Sequence, residues 1–225
     1  MAVIHRTTMN PSKAELLSGW LPTQPWYLGG DRAPTPARAG GFRLDDPEGR
    51  VGIEFMVVTD TSGDREATYL VPVTYRGAPL DGADQALIGT SEHGVLGRRW
   101  VYDGAHDPVL VAQLLALMTG EADPQDQNES DTPDTSVTGR FTGPGQGPLT
   151  GLISVTTSAQ GTDVLISTGP AAGSARLTIR VNRVLQPLPD GLPTRDASHQ
   201  GHVTAPWQLP DGTSARGLFA VADVA

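Results

Sequence analysis

Val51–Asp60 (VGIEFMVVTD), the turn Thr61-Ser62-Gly63-Asp64, and Ala67–Arg76 (ATYLVPVTYR) decide the fold. Both runs are rich in β-branched and aromatic residues, and the second alternates with a period of two. A Gly-containing turn between two such runs predicts an antiparallel hairpin. Pro72 has no N–H to give to a ladder, which argues for an edge position for the second strand.

On the N-terminal side, Asn10-Pro11 reads as a helix start, an Asn cap followed by proline at the first helical position. Ala14, Leu16, Leu17 and Trp20 give this short helix an apolar side, and Gly19 and Pro22 end it. Trp20–Tyr27 (WLPTQPWY) reads as an aromatic-rich exit loop, and residues 29–40 read as a Gly/Pro/Ala surface loop. On the C-terminal side, Leu87–Thr90 and Arg98–Tyr102 read as short strands. Asp107-Pro108 repeats the cap-plus-proline signal before the apolar run Val109–Met118, which stops near Gly120. A helix this apolar is expected to lie buried against the sheet.

Residues 121–136 (EADPQDQNESDTPDTS) hold six acids and no base. The composition predicts an acidic flexible linker over 121–137, with an acidic docking segment as the alternative. Beyond it, Leu149–Ser158, Thr162–Thr168, Leu177–Leu185, Val203–Leu209 and Leu218–Val224 read as strands of a small antiparallel sheet or barrel. The polar segment 187–201 reads as a loop. The expected organisation is thus residues 1–120, a linker at 121–137, and a β-rich unit at 138–225, an α+β chain overall.

Composition narrows the function. The 225 residues carry 25 acids against 16 bases, a formal charge of −9, which excludes a broad nucleic-acid-binding face. Lys13 is the only lysine. There is no cysteine, so neither a disulfide framework nor a thiolate metal site can form. No apolar run approaches the ~20 residues of a membrane helix, and Met1–Asn10 lacks the apolar core of a signal peptide. No membrane partner and a cytoplasmic location are expected.

Few side chains suggest chemistry. His199 and His202 form the one close histidine pair, in a Gly/Pro loop near Asp196, and no metal site is expected there. His93 and His106 read as structural. Asp45-Asp46 precede Pro47-Glu48-Gly49 and read as a turn rather than a paired acid and base. Gly143–Gly147 reads as a connector, since it leads into a strand and not the helix a phosphate loop needs. On the strand Arg98–Tyr102, Arg98, Trp100 and Tyr102 share one face. There Arg98 stacks on Trp100 or clamps an anion; the alternative is an edge strand whose Trp100 packs beneath the Val109–Met118 helix.

Several of these segments resemble one family. Trp20-Leu21-Pro22-Thr23-Gln24-Pro25-Trp26-Tyr27-Leu28-Gly29 resembles the opening of bacterial maltokinases, with Pro25 where the family has a basic residue. Val71–Arg76 resembles the next strand of their N-terminal cap, and Trp100–Pro108 its closing strand and helix start. The resemblance covers roughly 1–120. It implies a curved antiparallel sheet with packed helices, often likened to the cystatin fold. In the second half, Leu177–Pro187 resembles the kinase N-lobe strand that carries the ATP-phosphate lysine. Thr162–Ser167 looks like the strand before it, and Val203–Ala222 like the two strands leading to the interlobe hinge.

By that resemblance Arg180 stands at the lysine position, where a guanidinium does not reproduce a compact ammonium. Residues 187–202 are too polar and Pro-rich for the glutamate-bearing partner helix. The chain ends at Ala225, where the hinge would begin. The resemblance therefore implies a standalone cap followed by a truncated kinase N-lobe-like sheet, of actinobacterial type, with no catalytic residue and no cofactor. It implies a role in glycogen, trehalose or maltose metabolism, exercised through a protein partner or self-association. The alternative is a nucleotide- or sugar-binding module near Arg180, with ATP as its ligand and Arg98, Trp100 and Tyr102 as further binding candidates.

Overall fold

Between Gly52 and Arg76 the chain forms the hairpin that its pattern dictates. The computed structural model describes residues 7–30, 32–143, 147–169, 175–188 and 199–225. His5, the segment 144–146 of the Gly143–Gly147 connector, Asp196 and most of the 187–201 loop lie outside the described residues.

Strand β3 (Gly52–Asp60) pairs with β4 (Ala67–Arg76) from Gly52 opposite Tyr75 to Asp60 opposite Ala67. Ile53, Phe55 and Val57 enter one hydrophobic cluster, and Met56 and Val58 another. An apolar residue at almost every position thus reflects a sheet covered on both faces.

The remaining elements are β1 (Met9–Asn10), α1 (Lys13–Trp20), β2 (Ala37–Leu44), β5 (Leu87–His93), β6 (Gly97–Asp103), α2 (Pro108–Thr119), β7 (Thr138–Phe141), β8 (Leu149–Ser158), β9 (Gly161–Thr168), β10 (Ala175–Val181), β11 (Gly201–Gln208) and β12 (Ser214–Val224). Their sheet runs β1-β5-β6-β4-β3-β2-β11-β12-β10-β9-β8, with β7 on β11. The paired strands are antiparallel throughout. Only α1 and α2 are α-helices among the described residues, so the chain is sheet-dominated.

Several details differ from the sequence reading. Pro72 lies in a central strand. On its open side β4 is bonded first by the segment after β10, where Leu70 N donates to Arg183 O at 2.9 Å and Leu185 N to Thr68 O at 2.8 Å. Pairing with β6 begins only at Val73. Pro72 falls between these two partners, where its missing N–H breaks no ladder.

Helix α1 is capped by Ser12, not Asn10. Ser12 and Glu15 form a reciprocal capping box, with Ser12 N donating to Glu15 Oε2 at 2.8 Å, while Asn10 pairs with Glu92 in β1. Helix α2 follows its signals: Asp107 accepts from Val109 N at 2.9 Å, and Gly120 ends the helix at φ 78°.

The stretch read as a loop contains β2. Gly40 and Gly41, at φ 148° and 120°, carry a bulge against β3, and a Cβ on Gly41 would strike the Phe55 carbonyl oxygen. Glycine supplies that backbone but leaves no side-chain pattern to read.

The two halves also share a core. Trp207 of β11 pairs with Gly40 of β2, and one cluster joins Phe42, Phe55 and Leu114 to Ile166, Ile179 and Phe219. Helix α2 packs into that cluster through Leu110, Leu114 and Leu117. Where composition suggested a flexible spacer, residues 121–137 form an ordered strap along β2: Arg43 and Gln125 exchange backbone hydrogen bonds at 2.9 Å. The acids serve the strap itself. Asp126 accepts from Asn128 N and Glu129 N at 2.6 and 2.9 Å, and Asp134 from Ser136 N at 2.9 Å. Acidic side chains that satisfy local backbone donors can order a segment whose bulk composition reads as disordered.

Candidate ligand site

The residues singled out from sequence do not converge. On β6, Arg98 does stack on Trp100, 5.8 Å from its ring centroid, and reaches Glu92 at 3.6 Å. Tyr102 is buried, and its hydroxyl accepts from Leu80 N at 2.9 Å. Trp100 packs with Tyr102, Leu80, Ala83 and Ala86, so segment 80–86 covers this face and α2 does not. Arg180 lies on β10, opposite Asp163 of β9, and binds both its carboxylate oxygens at 2.7 and 3.0 Å.

The histidine pair is divided. His199 Nδ1 meets Asp223 Oδ2 at 2.7 Å, whereas His202 is buried in β11. Among the described residues no group of three or more His, Cys, Asp or Glu is placed to hold a metal. Asp46 closes a turn, accepting from the N–H groups of Glu48, Arg50 and Val51 at 3.0, 2.9 and 2.9 Å. Burial alone would raise its pKa, but those three donors hold the carboxylate below its ordinary range.

A cavity of about 610 Å³ opens where α1 meets the ends of β2, β3, β4 and β6. Its floor is Glu54, a buried carboxylate on β3. Glu54 Oε2 accepts from Tyr75 Oη at 2.7 Å and from Lys13 Nζ, the chain's only lysine. Burial pushes the Glu54 pKa up, but the Lys13 charge, its hydrogen bond and that of Tyr75 outweigh it and keep the group ionised. Burial together with the Glu54 charge drives the Tyr75 phenol well above 10. Lys13 lies 5.0 Å from the Tyr75 ring centroid. Arg43, Arg50 and Arg99 complete a lining of four cations against two acids, Glu54 and the already saturated Asp46.

A second constellation joins the halves of the sheet. Arg183 is fully buried and binds both oxygens of Asp103, at 2.7 and 2.6 Å. Its Nε donates to Thr162 Oγ1 at 2.9 Å, and its guanidinium lies 5.4 Å from the Trp26 ring centroid. Trp26 is held in turn by Trp20 and Tyr69, at centroid distances of 5.7 and 5.6 Å. The aromatic exit loop is therefore a wedge between α1 and the sheet, with Leu28 N bonded to Tyr69 Oη at 3.0 Å. Burial raises the Tyr69 pKa to about 12.

The segment that holds this wedge, β2 to β6 and the Asp107 cap also matches a known family. Residues 20–107 match the model of the maltokinase N-terminal cap domain. This stretch is a maltokinase N-terminal cap-like domain. No curated protein matches the chain. Within the cap-like domain the match begins at Trp20 and ends at Asp107, which is fully buried and binds Arg76 at 2.6 and 2.7 Å while capping α2. The Arg183–Asp103 pair then fastens the cap-like sheet to the second half.

Sequence reading missed both constellations. Arg183 is three positions from Arg180, the residue singled out on resemblance, and nothing local marks it as buried. Glu54 stands within an otherwise apolar strand, and that exception is the one signal that pointed to the cavity.

Proposed function

We propose that this protein is a non-catalytic interaction or regulatory protein related to maltokinase. It acts in glycogen, trehalose or maltose metabolism of an actinobacterium, in the cytoplasm, through a protein partner or self-association. The observation that carries this reading is the fate of Arg180. At the position where a kinase N-lobe-like strand would offer its phosphate-binding lysine, Arg180 is held by both oxygens of Asp163. A committed guanidinium on a surface strand offers little to a triphosphate, and phosphoryl transfer depends on positive charge placed around that group. The cap-like match over residues 20–107 supports the link to maltokinase.

The test is incubation of the purified chain with ATP, Mg²⁺ and maltose, with ADP and sugar phosphate as readouts. Neither product should rise above the protein-free blank. Phosphorylated sugar that scales with protein concentration overturns the reading. ATP binding by calorimetry that is lost in Arg180→Ala would favour a nucleotide-binding module instead.

A further inference from the structure

We propose that the cavity beside α1 is a binding site for a small polyhydroxylated phosphate ester. The inference goes beyond the reading above and holds whether or not the chain transfers phosphate. Three observations carry it.

The first is an excess of positive charge in the lining, where Lys13, Arg43, Arg50 and Arg99 face Asp46 and Glu54. Arg43 and Arg99 line the same cavity, and neither has an ion pair with a carboxylate among the described residues. Arg43 donates Nε and Nη2 to the backbone oxygens of Asp126 and Glu129, at 3.0 and 3.1 Å, which fixes its plane. Its Nη1 donates no hydrogen bond among the described residues. Arg99 is tied to Leu96 O through Nη2, while its buried Nε has no partner. Arg43 also lies opposite Glu54 in the β2–β3 ladder and feels the charges of Glu54, Asp45 and Asp126, whereas Arg99, held by a neutral carbonyl, is a position prepared for an anion.

The second is the direction of approach. Arg43 comes from β2 and Arg99 from β6, on opposite sides of β3 and β4. A planar carboxylate is satisfied by one guanidinium fork. A tetrahedral phosphate, with several oxygens facing different ways, suits donors that arrive from separate strands.

The third is an acceptor. Both bonds to Glu54 fall on Oε2, from Lys13 and Tyr75. Oε1 accepts none among the described residues, although the carboxylate stays ionised. An ionised carboxylate oxygen at the floor of a cationic cavity repels a bare anion and calls for a hydroxyl donor. Phosphate at the arginines and hydroxyls toward Glu54 describe one molecule. A volume of about 610 Å³ accommodates a ligand of that size.

The experiment is calorimetric titration of the full chain with glucose 6-phosphate, inorganic phosphate and glucose, each at millimolar concentration. Glucose 6-phosphate is expected to bind at least about tenfold more tightly than either other probe. In Arg99→Gln, with an unchanged melting temperature, binding of the ester should weaken about tenfold or more. Arg98→Gln, the neighbour on the other face of β6, should leave it unchanged. Absence of binding by all three probes overturns the proposal. So does equal affinity for the ester and inorganic phosphate, or an Arg99→Gln protein that binds as well as the parent.

Discussion

Replacing Asp103 by Asn strips the charge from the partner of a guanidinium that water cannot reach. Arg183 and Asp103 are both buried, and Arg183 Nη2 donates to both carboxylate oxygens of Asp103, at 2.7 and 2.6 Å. Removing one member of such a pair leaves the other charge uncompensated, which costs about 3–5 kcal/mol. For a protein of this size that lowers the melting temperature by about 6–20 °C. Arg183→Met should cost a similar amount, since it leaves Asp103 buried alone with only Ala105 N at 3.2 Å. The double variant removes both charges, so its cost should fall short of the sum by about 2 kcal/mol or more. Urea unfolding followed by tryptophan fluorescence reads all three, because Trp26 lies against Arg183. The shared core also requires one transition for the whole chain. A cost below about 1 kcal/mol for Asp103→Asn would show that the pair is not desolvated. Two separate unfolding steps would show that the halves fold as independent modules.

Three other outcomes follow from the same geometry. Arg180→Ala should change stability by no more than about 1 kcal/mol in urea titration, because its pair with Asp163 lies at the surface. Gly41→Ala should cost about 2 kcal/mol or more, since φ is 120° and a Cβ meets the Phe55 carbonyl, whereas Gly82→Ala, at φ 71° in open space, should cost about 1 kcal/mol. Acidification should destabilise the fold in two stages, checked by melting temperature against pH. His106, whose pKa burial pushes below 6.5, favours its neutral form when folded, so its contribution is complete above 6.5 and is lost as pH falls below that value. Asp46, Glu54 and Asp60 all have lowered pKa values, so their contributions are complete above about pH 4–5 and are lost as pH falls through the folded values.

Local rules carried a large part of the fold. The β3–β4 hairpin, the α2 cap at Asp107 and its Gly120 stop, and the strands β8, β9 and β11 follow from period, capping and turn chemistry within two residues of their observed bounds. β10 ends at Val181 where the strand pattern runs on to Leu185, β12 begins at Ser214 rather than Leu218, and β7 has no counterpart in the sequence pattern. These signals are legible because each depends on neighbours in the chain. The cap-like character of residues 20–107 was likewise visible in the Trp20–Gly29, Val71–Arg76 and Trp100–Pro108 segments.

What depended on distant partners could not be read that way. Pro72 belongs in a central strand only because residues 183–185 and β6 divide the work of pairing with β4. The 121–137 strap is ordered because β2 offers it a backbone ladder, which no local composition records. Arg180 and Arg183 lie on the same short stretch, yet one ends exposed beside Asp163 and the other buried against Asp103 and Trp26. Glu54, Lys13, Arg43 and Arg99 stand far apart in sequence and share a cavity only through the order of the strands. Sequence by itself determined the β3–β4 hairpin, most of the later strands and the α2 cap, because those energies are local. Which charges are buried, which are paired and which face a common cavity was decided by tertiary structure, because desolvation and ion pairing depend on what the fold brings near.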